Sequence, residues 1–99
     1  MFRYRMVSHT ADIRVRVSSP TLEGLFQGAA LSLCSLHVDR RRVREREAVK
    51  VSAEGYDMED LLFNFLRECF SLIAVESFVY RRADVRIEDG GRVGATLRG

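Results

Sequence analysis

The chain has 99 residues, 46% of them hydrophobic and 30% charged, with a formal net charge of +2. This is enough for one domain, residues 1–99, around one core, and the composition is that of an ordinary globular protein. No apolar run approaches the ~20 residues that span a bilayer, and MFRYRMVSHT lacks the apolar stretch of a secretory signal, so the expected location is the cytoplasm, with no membrane partner.

Charge is unevenly placed. Residues 40–50, RRRVREREAVK, hold six basic and two acidic side chains and carry +4, which leaves 2 − 4 = −2 for the rest. Fifteen of the sixteen basic residues are arginine, the side chain that grips phosphate and carboxylate with a planar fork. Cys34 and Cys69 lie among apolar residues at helical spacing and form no CxxC, which reads as two buried thiols.

Phe2, Tyr4 and Met6 alternate with Arg3 and Arg5, and Ile13, Val15 and Val17 alternate with Arg14 and Arg16. Period two predicts two strands. Pro20 then suits a helix start, and Leu22, Leu25, Phe26, Ala29, Leu33, Leu36 and His37 follow the i, i+3, i+4, i+7 spacing of a helix over about 21–37. Gly24 and Gly28 weaken that helix, but their size lets another element approach. Val49, Val51 and Ala53 predict a strand over about 46–54, followed by a turn at EGYD with Asp57 as helix cap.

The second helix, about 58–76, carries a stripe of Leu61, Leu62, Phe65, Leu66, Cys69, Leu72 and Ile73, broadened by Phe63 and Phe70. So apolar a helix is expected to be central and to cover a sheet. A strand from Val79 through Ile87, a turn at DGG (89–91) and a returning strand through Val93, Ala95 and Leu97 complete the chain. The order ββαβαββ predicts an α+β two-layer sandwich.

Four groups carry chemistry. In SHTAD (8–12) the bend between two strands presents His9 and Asp12 at a sheet edge, where a carboxylate suits a hard cation such as Ca²⁺ or Mg²⁺. Thr10 and Asp12 are equally the residue types that bond to local backbone in turns, and one carboxylate is not a complete metal site, so spacing alone favours the turn. Cys34 and His37, with Cys69 approaching from the other helix, are ligand types for a transition metal. No closely spaced second ligand pair accompanies them, which favours core thiols.

Arg40, Arg41, Arg42, Arg44 and Arg46 have the composition to track an RNA backbone or an acidic partner, and equally that of a solvated loop guarding a strand edge. No aromatic residue is interleaved for base stacking. DMED (57–60) reads as helix capping rather than metal ligation. No nucleophile–base arrangement and no glycine-rich phosphate loop is present, so the chain is expected not to be an enzyme.

HTAD at 9–12 after a short strand, TLEGLFQGAALSL at 21–33, Asp39, DMEDLLFNFLRE at 57–68 and FVYRRADVRI at 78–87 together resemble the archease family, across almost the whole chain. The resemblance implies a small cytosolic, chaperone-like accessory protein that activates a tRNA-splicing RNA ligase, promoting its guanylylation and turnover. It implies a second link to a tRNA cytosine methyltransferase. It also implies an α+β sandwich with a divalent ion at one tip, Ca²⁺ foremost, then Mg²⁺ or Mn²⁺, held by Asp12 with His9 shaping the tip.

The chain departs from the family pattern in three ways. Ser8 stands where an acidic residue is usual, Gly24 where a second glutamate often follows TLE, and the family's later lysine and terminal aspartate ligand have no counterpart before Gly99. The chain is therefore expected to be a shortened relative, a fragment or the ordered part of a longer protein, and for the 99 residues themselves weak metal affinity is expected. The alternatives are a small RNA-binding or chaperone-like module using Arg40, Arg41, Arg42 and Arg44, and a scaffold with a degenerate metal site.

Overall fold

A computed structural model of the chain describes residues 3–8, 13–88 and 91–99, with side chains from residue 17 onward. The elements run β1 (Arg3–Ser8), β2 (Ile13–Ser18), α1 (Leu22–Ser35), a 3-10 turn (Arg40–Arg42), β3 (Ala48–Glu54), α2 (Met58–Ala74), β4 (Arg82–Glu88) and β5 (Arg92–Arg98). This is the α+β order expected from the sequence.

β1 and β2 form an antiparallel ribbon in which Met6 stands opposite Val15 and Tyr4 opposite Val17. Residues directly opposite share a face, so this register keeps the alternating apolar sets of both strands together. The remaining strands form a second antiparallel sheet in the order β3-β5-β4. Its rows align Val49, Leu97 and Ala83, then Val51, Ala95 and Val85, then Ala53, Val93 and Ile87. All nine residues in these rows are apolar, and the central strand is the most enclosed, with Val93 and Leu97 fully buried.

Both helices lie against this sheet, α2 over β3 and β5, α1 over β4, while α1 also packs on the β1–β2 ribbon. Phe26, Ala30, Cys34, Leu61, Phe65, Cys69 and Tyr80 close the core between them, with the Phe26 and Phe65 rings 5.6 Å apart.

The more enclosed helix is α1, not the longer α2 that the sequence pattern places at the centre. Seven of its residues are buried against four on α2, and they include Gly24, Gly28 and Ser32 on one side and Phe26, Ala30 and Cys34 on the other. Small residues at i, i+4 and i+8 leave α1 a low-relief side that packing covers without large apolar groups, which an apolar count does not register. The expected stripe is met in part: Phe26 is fully buried, Leu22, Leu25, Ala29 and Leu33 are half-buried, and Leu36 and His37 are exposed. On α2, Phe63 and Phe70 face solvent at 63% and 48% exposure.

Element ends follow from local hydrogen bonds. The Thr21 side chain caps α1 by accepting the Gly24 N–H at 3.0 Å. The helix stops at Ser35 because Leu36, His37 and Val38 tighten onto the Ser32, Leu33 and Cys34 carbonyls. Asp57 caps α2, its Oδ1 accepting from Asp60 N–H at 2.8 Å, while Asp60 Oδ2 accepts from Tyr56 N–H at 2.9 Å. The DMED carboxylates that the structure pairs are thus used on backbone donors at the positive end of the helix.

β4 begins at Arg82 rather than Val79, because Tyr80 is hydrogen-bonded to α1. Its N–H donates to Cys34 Sγ at 3.4 Å and its carbonyl accepts the Cys34 thiol at 3.3 Å. The ladder to β5 starts only with Arg81 N–H donating to the Arg98 carbonyl. Likewise β3 begins at Ala48, since the Arg46 and Glu47 N–H groups converge on the Gly99 carbonyl instead of forming a regular ladder. Three residues separate Glu88 from Arg92, and Gly91 at φ +116° supplies the positive φ that such a hairpin uses.

Candidate functional site

The arginine segment is tied to the body of the domain as a strap rather than standing free as a loop. Val43 anchors it in the core. Asp39 caps its 3-10 turn by accepting from the Arg41 N–H at 3.1 Å and is gripped by the Arg41 guanidinium through Nε and Nη2 at 3.2 and 3.4 Å. Arg42 approaches the same carboxylate at 3.9 Å. The Arg41 side chain is the main reason that the Asp39 carboxyl lies below its ordinary range. Arg40 turns inward: Nη1 donates to the Arg81 carbonyl at 3.1 Å, and Nε is buried without a partner among the described residues. Farther along, Glu45 pairs with Arg82 at 3.4 Å.

Arg44 and Arg46 remain. Both are exposed, and neither is ion-paired among the described residues. They border a cleft of about 760 Å³ between this segment and the connection from α2 to β4, with Val38, Val43, Phe78 and Val79 as its apolar lining. The segment alone contains no aromatic residue, but the fold supplies one. Ser77, in the left-handed region at φ +53°, reverses the chain after α2, and Phe78 N–H returns to the Leu72 carbonyl at 2.9 Å. Phe78 then leans on the buried Tyr80, ring centroids 6.4 Å apart. No sequence signal joins Phe78 to the arginines; only the tertiary path does.

The other candidates separate. His9 and Asp12, proposed as the metal tip, lie outside the described residues. Among the described residues no group of three or more His, Cys, Asp or Glu side chains is arranged to hold a metal ion. Cys34 and Cys69 are buried free thiols, both pushed up by burial, Cys69 to about 12. His37 is exposed, its Nδ1 3.0 Å from the Leu33 carbonyl and its ring centroid 6.0 Å from that of Phe70. The Cys34–His37–Cys69 ligand set is therefore not assembled, because α1 ends before His37 and turns the imidazole outward.

Fold and surface together define a small α+β sandwich whose strongest charge feature is an arginine strap beside a mixed polar and apolar cleft. Residues 4–99 match the model of the Archease protein family (MTH1598/TM1083), and the chain belongs to that family. It is similar to protein archease of Thermococcus gammatolerans, at 43% identity over 88 residues covering 89% of this chain and 62% of the relative. Its identity to protein archease of Pyrococcus abyssi is 38% over the same shares of each chain. With that of Archaeoglobus fulgidus it is 36% identical, covering 98% of this chain and 72% of the relative.

The chain thus spans about three fifths of the length of the first two relatives. The solution structure of Methanobacterium thermoautotrophicum protein 1598 superposes with a TM-score of 0.78 over 97% of this chain and 71% of that one. At 22% identity that likeness concerns the fold. No helix of the described residues is long and apolar enough to cross a membrane.

Proposed function

We propose that the chain is a non-enzymatic accessory protein of RNA ligation in tRNA splicing, one that promotes guanylylation and turnover of the ligase. The observation that carries this reading is the family match over residues 4–99, which takes in the HTAD motif at 9–12 together with TLE at 21–23 and EDLL at 59–62. The same reading makes Asp12 the working carboxylate of a metal-bearing tip and His9 the residue that shapes it. A hard divalent ion, Ca²⁺ foremost, would use the Asp12 oxygen and would supply concentrated positive charge at that end of the molecule. The RNA ligase is the principal partner; a tRNA cytosine methyltransferase is the second.

The test is the rate of ligase guanylylation with and without the 99-residue chain. Wild type is expected to accelerate it and Asp12→Ala to abolish the acceleration, with the circular dichroism spectrum of the variant unchanged. Equal stimulation by both proteins, or none by the wild type, refutes the reading. Calorimetric titration with Ca²⁺ and Mn²⁺ is expected to show weak binding that Asp12→Ala removes.

A further inference from the structure

We propose that the cleft between the arginine strap and the α2–β4 connection binds single-stranded nucleic acid, with phosphates on Arg44 and Arg46 and a base stacked on Phe78. The claim goes beyond the accessory role above and does not rest on it. Three observations carry it.

The first is unsatisfied charge. Around the strap stand Arg40, Arg41, Arg42, Arg44, Arg46, Arg81, Arg82 and Arg98 against Asp39, Glu45, Glu47 and Asp84, eight cations to four anions. Asp39, Glu45 and Asp84 are engaged by Arg41, Arg82 and Arg98 at 3.2, 3.4 and 3.1 Å. Arg44 and Arg46 are left as exposed guanidinium groups, which suit phosphate oxygens in number and shape. A second depression, lined by Arg46, Arg82 and Arg98 together with Glu45, Glu47 and Asp84, adjoins the first through Arg46 and Glu47 and is balanced in charge.

The second is the floor. An acidic peptide is served by arginines alone, whereas Phe78 beside Val38, Val43 and Val79 offers a flat apolar surface next to the charges. Stacking on an aromatic ring flanked by cations is how proteins hold unpaired bases, and it requires no particular sequence. Duplex bases stack on one another and leave no face for the ring, which favours a single strand.

The third is preorganisation. The Phe78 backbone is held by its N–H bond to the Leu72 carbonyl at 2.9 Å, and its half-buried ring rests on the core beside Tyr80, centroids 6.4 Å apart. The strap is fixed by Val43 and by the Asp39 cap. At about 760 Å³ the cleft is open to solvent along its length, a depression that a chain can lie across rather than an enclosed pocket.

The test is fluorescence anisotropy of a fluorescein-labelled oligouridylate of about twelve nucleotides, titrated with the 99-residue chain over a series of salt concentrations. The double variant Arg44→Ser/Arg46→Ser is expected to lower the magnitude of the log–log salt slope by about 1.4, two phosphates at ~0.7 each. Both side chains are exposed, so the fold is not at stake. Phe78→Leu is expected to weaken binding about 5- to 150-fold with the slope unchanged, and Phe78→Tyr to preserve it.

Three results overturn the proposal. One is absence of binding at low salt. Another is binding by the double variant with an unaltered slope. The third is displacement of the oligonucleotide by polyglutamate at equal charge concentration, which would make the cleft a surface for acidic polypeptides.

Discussion

Gly55→Ala should destabilise the domain out of proportion to a single methyl group. Gly55 lies where β3 turns into α2. A Cβ there would collide with the Leu61 backbone nitrogen and stand 2.6 Å from Leu61 Cα and 2.9 Å from the Asp60 carbonyl carbon. Carbon atoms rest at about 3.5–4.0 Å, so the overlap is about 1 Å, and it falls on backbone that no rotamer change can move. Relief requires the first turn of α2 to shift away from Gly55.

That turn is tied by the Asp57 cap, by Asp60 accepting from Tyr56, and by the fully buried Leu61 side chain. Losing the cap costs about 1 kcal/mol. Losing or bending the exposed Asp60 bond adds about 0.5–1 kcal/mol. Displacing Leu61 adds the ~1–2 kcal/mol of a strained core contact, for a total of about 3 kcal/mol. Gly94→Ala is the matched control, since a Cβ at this position in β5 meets nothing within 4 Å. It should be neutral or stabilising by up to about 1 kcal/mol, through the unfolded chain. Urea unfolding followed by circular dichroism measures both, and at a slope of ~1.5 kcal/mol/M the Gly55 variant should lose about 2 M in midpoint. A Gly55→Ala loss no larger than the Gly94→Ala change would refute the packing argument.

Ser77→Gly should stabilise the protein by about 0.5–1 kcal/mol, since the left-handed geometry at φ +53° costs an L-residue ~1–2 kcal/mol and glycine returns part of the gain as chain entropy. The same urea titration checks it, and a destabilised variant would mean that Ser77 bonds through its hydroxyl. Alkaline pH gives a second check on the core. Burial raises the Cys69 thiol from 9.0 to about 12 and raises Cys34 and Tyr80 as well. The folded state therefore holds these protons more tightly than the unfolded one. The stability they contribute is complete below the unfolded pKa near 9 and falls as pH climbs toward the folded value near 12. The loss should approach ~1.4 kcal/mol per pH unit for each such group, and Cys69→Ala should reduce the slope. Stability flat above the unfolded thiol pKa would contradict the burial of these thiols.

The strand and helix periods were legible because each comes from one physical constraint, the pleat or the helical turn, acting on adjacent residues. Val93, Ala95 and Leu97 had to share a face whatever they met, and Asp57 had to precede a helix whose first N–H groups need an acceptor. The HTAD and EDLL motifs likewise carried the family in the local sequence. Local pattern did not reveal which helix is enclosed on more sides, because Gly24, Gly28 and Ser32 offer little hydrophobicity and much proximity. Nor did it reveal that Tyr80 bonds to Cys34 before the sheet begins, since that choice depends on where α1 lies.

The cleft shows the same division. Composition alone set five arginines within residues 40–46 and left them without an aromatic neighbour. The reversal at Ser77 decided that Phe78 would stand beside them, a placement that no spacing within either segment encodes. Sequence fixes what is adjacent along the chain; burial and closure of the core fix what becomes adjacent in space.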